Sequence, residues 1–251
     1  MSDSPAGLPS EEGDGLAATE KEKEDTKVGW SAAKEIAIII VIALVLSSLV
    51  RAFVFQAFWI PSGSMENTLL PEDRILVNKL STHFGEIHRG DVVVFSDPSN
   101  WLSAGFDQGN IVQRSVRKAF SIVGLAASPS DRDLVKRVIG VGGDKVVCCD
   151  AQGRMSVNGQ ALDEKSYLYP GDAPSDEPFN VTVPVGSLWV MGDHRSESGD
   201  SRFHQQDPAG PFVPVDKVLG RGVWVGWPVS RWSVLRVPET FSSIPVNPAG
   251  K

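Results

Sequence analysis

The sequence contains few cysteines, and their placement excludes a zinc centre. Its 251 residues include two cysteines, Cys148 and Cys149, which are adjacent. A tetrahedral zinc site needs four ligands, and no further cysteine or histidine stands nearby at a suitable spacing. The pair is interpreted either as small half-buried residues in a strand or as a disulfide between neighbours, which is possible outside the cytoplasm.

Basic residues are also too few and too scattered to form a nucleic-acid surface. The chain carries 24 Lys and Arg against 31 Asp and Glu, which gives a net charge of −7 and a pI near 5.1. Domains that bind DNA or RNA more often present a basic face. No nucleic-acid partner is therefore expected.

Long apolar runs are absent apart from one near the N-terminus. From Ile36 to Val50 the sequence has no charged residue, and the apolar stretch continues past Arg51. A membrane-spanning helix needs about 20 largely apolar residues. Residues 29–55 meet this requirement, with Lys34 and Arg51 close enough to the two faces for their charges to reach water. The sequence therefore predicts one transmembrane anchor.

A cleaved signal peptide is the alternative interpretation of this run. The apolar core of a signal peptide is usually about 7–15 residues long and lies at the start of the chain. Here the core is longer and begins well inside the sequence, and "SSLVRA" is a poor cleavage site. The pattern favours an uncleaved anchor. Four lysines precede the run and two arginines soon follow it, which indicates a cytoplasmic N-terminus.

Composition divides the rest of the chain into segments. Residues 1–28 have almost no large apolar side chains and predict a disordered cytoplasmic tail. Residues 56–237 contain apolar strand patterns separated by glycine and proline, and predict a mainly β extracytoplasmic domain. Within it, residues 98–133 form an insertion whose apolar spacing predicts an amphipathic helix, packed on the body or lying on lipid. Residues 238–251 are predicted to be a C-terminal tail.

Two serines stand one residue apart, in "WIPSGSMENTLL", just after the apolar run. A serine hydroxyl needs a base to act as a nucleophile. One alternative is a triad of Ser64, His194 and Asp193, although a carboxylate adjacent in sequence orients an imidazole poorly and the G-x-S-x-G elbow is missing. The other is a lysine kept neutral by burial, for which Lys136 in "LVKRVIGVGGD" fits. Taken alone, Lys136 is better interpreted as a surface residue of an edge strand.

Four sequence blocks resemble bacterial type I signal peptidases, the membrane-anchored Ser/Lys endopeptidases that remove signal peptides from exported proteins. The blocks are, in chain order, "PSGSMENTLL", "RGDVVVFSDP", "KRVIGVGGDKV" and "MGDHRSESGDSRFH", within residues 30–228. The resemblance implies a Ser/Lys signal-peptidase-like β core with an inserted segment, preceded by one N-terminal transmembrane helix. It also implies that the enzyme needs neither a metal nor a cofactor.

The resemblance assigns roles to the residues of the first and third blocks. Ser64 is implied as the nucleophile and Lys136 as the general base. The hydroxyl of Ser62 and the backbone N–H of Ser64 are implied as the oxyanion hole, and Gly63 permits the tight backbone between the two serines.

The last block is implied to support the two catalytic residues. Ser198 is expected to hydrogen-bond the lysine amine. Asp200 and Arg202 are expected to form an ion pair near the site, and Asp193 and Arg195 are expected to fix the same loop. The chain departs from the usual pattern in this block, because position 194 is His where Asn is common.

The implied activity is cleavage after a small residue in an Ala-x-Ala-like site of a preprotein, at the bacterial cell membrane. Preproteins and the lipid bilayer are the expected partners, and the translocation machinery is a further one. Phe55, Phe58 and Trp59 are expected to face lipid. Two other functions compete with this one: a self-cleaving repressor with a related β core, and a non-catalytic anchored module in which the two serines cap a turn.

Overall fold

Strands dominate the part of the chain that the structure describes. In a computed structural model, the described residues are 34–48, 50, 54–83, 85–99, 101–102 and 132–245. The predicted N-terminal tail and the predicted amphipathic helix of the insertion lie outside these residues. The chain divides into two units, Met1–Ser48 and Leu49–Lys251.

In the first unit, residues 34–48 form helix α1. Its large apolar side chains point in all directions and are 53–64% exposed. A helix that is apolar all round is typical of one surrounded by other protein or by lipid. No helix among the described residues is both long and apolar enough to cross a bilayer. Parts of the predicted anchor, residues 29–55, lie outside the described residues.

The larger sheet of the second unit contains eight described strands. Their bounds are β1 Phe55–Trp59, β2 Arg74–Asn78, β3 Val92–Ser96, β4 Asp133–Val141, β9 Ser187–Met191, β10 Val213–Pro214, β11 Val218–Trp227 and β12 Ser233–Val234. Their order is β1-β2-β11-β3-β4-β9-β10, with β12 paired to β11. Strand β4 therefore lies in the interior of the sheet, flanked by β3 and β9.

The smaller sheet contains four described strands. Their bounds are β5 Lys145–Cys148, β6 Ser156–Val157, β7 Gln160–Ala161 and β8 Phe179–Thr182, and their order is β7-β6-β5-β8. Asn158 and Gly159 join β6 to β7 with positive φ angles of 53° and 81°, the backbone of a two-residue hairpin turn. Cys148 is buried at the end of β5 and is bonded through sulfur to Cys149. A short helix, α2, covers Leu80–His83. The prediction of a mainly β body is confirmed.

Apolar side chains from both sheets form three buried clusters. One lies between the smaller sheet and β9, around Trp189. The second packs β1, β2 and β11 together around Ile75. The third surrounds Val138 of β4. Because successive strand residues point to opposite faces, Phe58 of β1 falls in the second cluster and is 3% exposed. The expectation that Phe58 faces lipid is therefore wrong.

The first residues of the predicted C-terminal tail belong to the core. Glu239–Phe241 form a 3-10 turn, and Phe241 and Ile244 are each 6% exposed within the Trp189 cluster. The Phe241 ring stacks on Tyr167 with 5.7 Å between centroids. Two apolar residues in an eight-residue segment form no periodic pattern, so the sequence did not indicate this packing.

This packing makes Phe241 important for stability. We expect Phe241→Ala to lower the free energy of unfolding by about 3 kcal/mol, because it opens a cavity in a packed cluster. Val234→Ala removes an apolar side chain that is 63% exposed and should change the free energy by less than about 0.5 kcal/mol. Denaturant unfolding of both variants measures the difference. Equal effects would show that the segment does not contribute to the core.

Candidate active site

Ser64 lies on a 3-10 turn that is held by apolar side chains, and Ser62 immediately precedes this turn. The turn spans Gly63–Met65 and is joined to the end of β1 by residues 60–62. Met65 and Leu69 are buried in the cluster around Ile75, which anchors the turn against the sheet. Ser64 is consequently 7% exposed, whereas Ser62 just before it is exposed. Ser62 Oγ lies 3.4 Å from Ser64 Oγ, so the two hydroxyls face the same space.

Lys136 reaches Ser64 from the interior strand β4. Lys136 pairs with Val93 of β3, and its neighbour Arg137 pairs with Met191 of β9. The Lys136 side chain is 3% exposed, and its Nζ lies 2.6 Å from Ser64 Oγ in hydrogen-bond contact. The interpretation of Lys136 as a surface residue of an edge strand is therefore wrong.

Burial changes the protonation of this lysine. Loss of hydration disfavours the ammonium and lowers the pKa of Lys136 from 10.5 to about 8. The charges of Asp200 and Asp193 act in the opposite direction, and that of Arg202 adds to the lowering. The balance leaves a large fraction of the amine neutral in mildly alkaline solution, where it can accept a proton.

The histidine triad lacks the necessary contacts. The Asp193 carboxylate accepts hydrogen bonds from Arg137 Nε at 2.8 Å and from a second Arg137 nitrogen at 2.6 Å. Thr68 Oγ1 donates to the same carboxylate. Among the described residues, the side-chain partners of Ser64 Oγ are Lys136 and Ser62, and no histidine bonds it. Asp193 is thus occupied by an arginine rather than orienting His194 as a base.

Arg137 is a buried residue beside the candidate site that sequence reasoning missed. Strand alternation puts it on the face opposite Lys136. It is 2% exposed and joins three chain segments: it binds Asp193, donates to the Gly90 carbonyl at 2.8 Å, and donates to Thr68 Oγ1 at 3.0 Å. A buried guanidinium needs such partners, because an unpaired charge is costly away from water. The only available signal was a second basic residue inside an apolar strand.

Asp200 and Arg202 form the predicted ion pair, and this pair is buried in the protein interior. Arg202 Nε donates to Asp200 at 2.9 Å, and both side chains are almost fully buried. Burial alone would raise the pKa of Asp200, but hydrogen bonds and charge from Arg202 outweigh it and hold the pKa below its usual value. Gly192 N also donates to Asp200, at 2.9 Å. Asp200 is thus an anion that fixes the loop backbone.

Ser198 differs from expectation in its partner. Its hydroxyl donates to Asp200 at 2.8 Å. Within the part of the chain that the structure describes, no hydrogen bond joins Ser198 to Lys136. Ser198 thus binds a carboxylate whose charge raises the pKa of Lys136.

Arg195 holds the same loop through partners that the sequence did not suggest. Its guanidinium binds Glu164 at 2.6 Å and donates to the Gly192 carbonyl at 2.8 Å. Glu164 in turn accepts from the Tyr167 hydroxyl at 2.8 Å. Asp193 and Arg195 thus fix one loop by binding outwards to different segments, and they are not paired with each other.

The loop from Gly192 to Arg202 packs directly against the serine turn, Gly63–Met65, at Gly192. A Cβ atom at this position would lie 2.4 Å from the Ser64 carbonyl oxygen and 2.3 Å from Ser198 Oγ. His194 N donates to the Ser64 carbonyl at 3.2 Å and completes the contact. The site therefore consists of a buried amine, two hydroxyls and a closely packed loop. No group of metal-binding side chains occurs among the described residues.

Comparison with known proteins identifies the family in which this arrangement occurs. The sequence profile described as "Signal peptidase, peptidase S26" matches residues 33–227. The chain belongs to this family. A "Signal peptidase I" of Mycobacterium tuberculosis (strain ATCC 25618 / H37Rv) is 41% identical over 247 residues, covering 90% of this chain and 82% of the relative. A "Probable signal peptidase I" of Mycobacterium leprae (strain TN) is 42% identical over 230 residues, covering 80% and 78%.

A solved structure also matches part of the chain. It is a signal peptidase I from Enterococcus faecalis V583, which is 20% identical, with a TM-score of 0.31. The match covers 54% of this chain and 96% of that one. Family membership follows from the sequence matches, and the chain is accordingly a peptide hydrolase.

The contact at Gly192 predicts a selective effect on activity. We expect Gly192→Ala to lower kcat by about 10²-fold, because the new methyl group must displace the Ser64 backbone and small displacements of reacting groups have large effects. Gly199→Ala is the matched control, since nothing lies within 4 Å of its added Cβ. Peptide cleavage rates and thermal unfolding of both variants provide the measurement. Full activity of Gly192→Ala would contradict the described packing.

Proposed function

We propose that the chain is a membrane-anchored serine endopeptidase that removes N-terminal signal peptides from exported preproteins with a Ser64–Lys136 dyad. The observation that carries the proposal is the 2.6 Å contact between a buried lysine Nζ and a serine Oγ. Family membership supports the substrate class. The lowered pKa of Lys136 supports its role as base, because only the neutral amine accepts a proton.

The reaction follows the usual course of acyl transfer to a serine. Neutral Lys136 takes the hydroxyl proton while Ser64 Oγ forms a bond to the carbonyl carbon of the scissile peptide. The carbonyl oxygen becomes an oxyanion, which accepts hydrogen bonds from the Ser62 hydroxyl and the Ser64 N–H. The Lys136 ammonium then returns the proton to the leaving amine as the C–N bond breaks. Water deprotonated by Lys136 releases the acyl group in the second half.

The buried ionic residues play supporting roles in this proposal. Asp200 and Arg202 hold the loop that carries Ser198, and Arg195 ties that loop to Glu164. Asp193 joins it to Arg137, the neighbour of the base. These groups do not touch the reacting atoms. They keep the base and the nucleophile at hydrogen-bond distance.

Substrate selection is proposed by family resemblance. The preprotein binds as an extended strand beside the site, and shallow pockets accept small side chains in an Ala-x-Ala-like sequence. Cleavage after the last small residue releases the mature protein outside the cytoplasm. The translocation machinery, which delivers such substrates, is the proposed protein partner.

The lipid bilayer is the second proposed partner. Residues 29–55 are proposed to be a single-pass anchor with a cytoplasmic N-terminus, and the all-round apolar surface of α1 supports this. In the catalytic body, four apolar side chains are exposed at one end of the larger sheet. They are Trp227 at 53%, Val229 at 56%, Trp232 at 57% and Val234 at 63%. Exposed tryptophans are typical of a membrane interface.

The strand register supports this orientation. Trp59 pairs with Arg74, and Arg74 pairs with Trp227. The exposed apolar residues therefore lie at the end of β1 from which the chain enters the serine turn. A bilayer at this surface would hold the active site beside the cleavage point of a membrane-inserted signal sequence.

Cleavage of a preprotein separates this function from its two competitors. We expect the detergent-solubilised chain to cut a secretory precursor once, after a small residue. Ser64→Ala and Lys136→Ala should abolish cleavage while leaving the protein folded, and Ser62→Ala should lower kcat by about 10²–10³-fold through loss of an oxyanion donor. A repressor-like protein would cut itself, and a binding module would cut nothing. An active Lys136→Ala variant would refute the dyad.

The lowered pKa of Lys136 predicts the pH dependence. Because the protonated amine cannot act as a base, kcat/KM should rise about tenfold per pH unit below pH 8 and level off above it. Initial rates between pH 6 and pH 10 measure this profile. A rate that is constant over this range, or that falls as the pH rises to 8, would exclude Lys136 as the base.

A further inference from the structure

One side-chain contact on the serine turn has no role in the proposed mechanism. His194 Nδ1 lies 3.3 Å from the carbonyl oxygen of Gly63. A carbonyl oxygen can only accept a hydrogen bond, so Nδ1 carries the proton in this contact. The Gly63 carbonyl belongs to the same peptide unit as the N–H of Ser64, which is the proposed backbone donor of the oxyanion hole.

The imidazole is held in place on several sides. Its ring stacks on Tyr169 with centroids 3.8 Å apart and planes 18° from parallel. The His194 side chain is 14% exposed, and the Glu66 carboxylate lies 3.7 Å from Nδ1. The backbone N–H of His194 donates to the Ser64 carbonyl at 3.2 Å. The ring therefore meets the Gly63 carbonyl in a fixed orientation.

A hydrogen bond at one end of a peptide unit acts on the other end. The unit is planar, so fixing the direction of the Gly63 carbonyl also fixes the direction of the Ser64 N–H. A donor at the carbonyl oxygen polarises the amide, and hydrogen bonds in such chains strengthen one another. Glu66 N donates to the same oxygen at 2.9 Å, so both lone pairs of this oxygen are used.

We propose that His194 is a positioning residue that orients and polarises the Gly63–Ser64 peptide, so that the Ser64 N–H is directed at the oxyanion. The inference rests on the proposed function and deepens it. His194 does not serve as a base, since its ring is not bonded to Ser64 Oγ. It acts on the charge that develops in the transition state, and its loss should therefore affect kcat rather than KM.

Two replacements of His194 distinguish this role from simple space filling. The amide of Asn can present an N–H near the position of Nδ1, whereas the amide of Gln reaches towards the position of Nε2. We therefore expect His194→Asn to retain kcat within about threefold. His194→Gln and His194→Ala should each lose about tenfold, the size of one neutral hydrogen bond and less than loss of an oxyanion donor.

The experiment uses the full chain in detergent with one secretory precursor as substrate. It measures kcat, KM and the pH profile for the three His194 variants, and titrates the active fraction with a covalent serine-reactive probe. His88→Ala is the matched control, because His88 is 63% exposed and faces Glu86 and Asp91. The pH midpoint should stay near that of the unmodified enzyme, since the base is unchanged.

Several outcomes would overturn the inference. These are equal kcat values for His194→Asn and His194→Gln, a rise in KM without a fall in kcat, or a shifted pH midpoint. If His194→Ala does not fold, the kcat values of His194→Asn and His194→Gln still decide whether His194 is a positioning residue. Failure of the proposed function is distinct: the unmodified chain would not cut the precursor, or Ser62→Ala would cut it at full rate. An impaired Ser62→Ala beside a fully active His194→Ala would reject only the role of His194.

Discussion

The contact between Lys136 Nζ and Ser64 Oγ is the constraint on which the rest of the site depends. A lysine is useful as a base only when it is neutral, and it is neutral near physiological pH only when it is shielded from water. The larger sheet provides that shielding by placing the lysine on an interior strand. Serine must then be brought to the lysine, and the buried side chains of Met65 and Leu69 achieve this by anchoring the serine turn against the same sheet.

Placing an uncharged amine beside several carboxylates creates a conflict, because a nearby anion favours the ammonium. The structure limits the conflict by giving each carboxylate an arginine. Asp193 binds Arg137 and Asp200 binds Arg202, both with the side chains buried. These pairs keep the loop rigid and reduce the charge that the amine experiences. The pKa of Lys136 nevertheless stays near 8 rather than lower, because the two carboxylates still raise it.

The loop from Gly192 to Arg202 therefore fixes the position of the serine turn. Gly192 and His194 of this loop both contact the Ser64 carbonyl. The loop is stabilised by ion pairs and hydrogen bonds from Arg137, Arg195 and Arg202. The same loop also contacts the Gly63 carbonyl through the His194 ring. In the proposed mechanism the nucleophile and the oxyanion donors lie on one chain segment and the base lies on another, and the ionic network of the loop holds the two segments together.

Much of this arrangement could be predicted from sequence, because local chemistry carries clear patterns. Glycine and proline between apolar stretches indicated a β body. The Ser-Gly-Ser triplet indicated the two hydroxyls of the site, and the family resemblance of the third block indicated the lysine beside them. Predictions failed where the outcome depends on how side chains pack in three dimensions. Ser198 binds Asp200 and not the lysine, and Phe58 faces the core. The burial of Arg137 was not predicted at all. No local pattern identifies the partner of a buried arginine, or the face on which a short strand exposes an aromatic ring.

The sequence by itself determined which residue types are available for chemistry and the order in which they appear along the chain. It also determined the long apolar run and the charge balance, since these are properties of composition. Only the tertiary structure decided that Lys136 is shielded from solvent and in contact with Ser64. Desolvation and hydrogen-bond distance depend on segments that are 72 residues apart and come together through the pairing of strands.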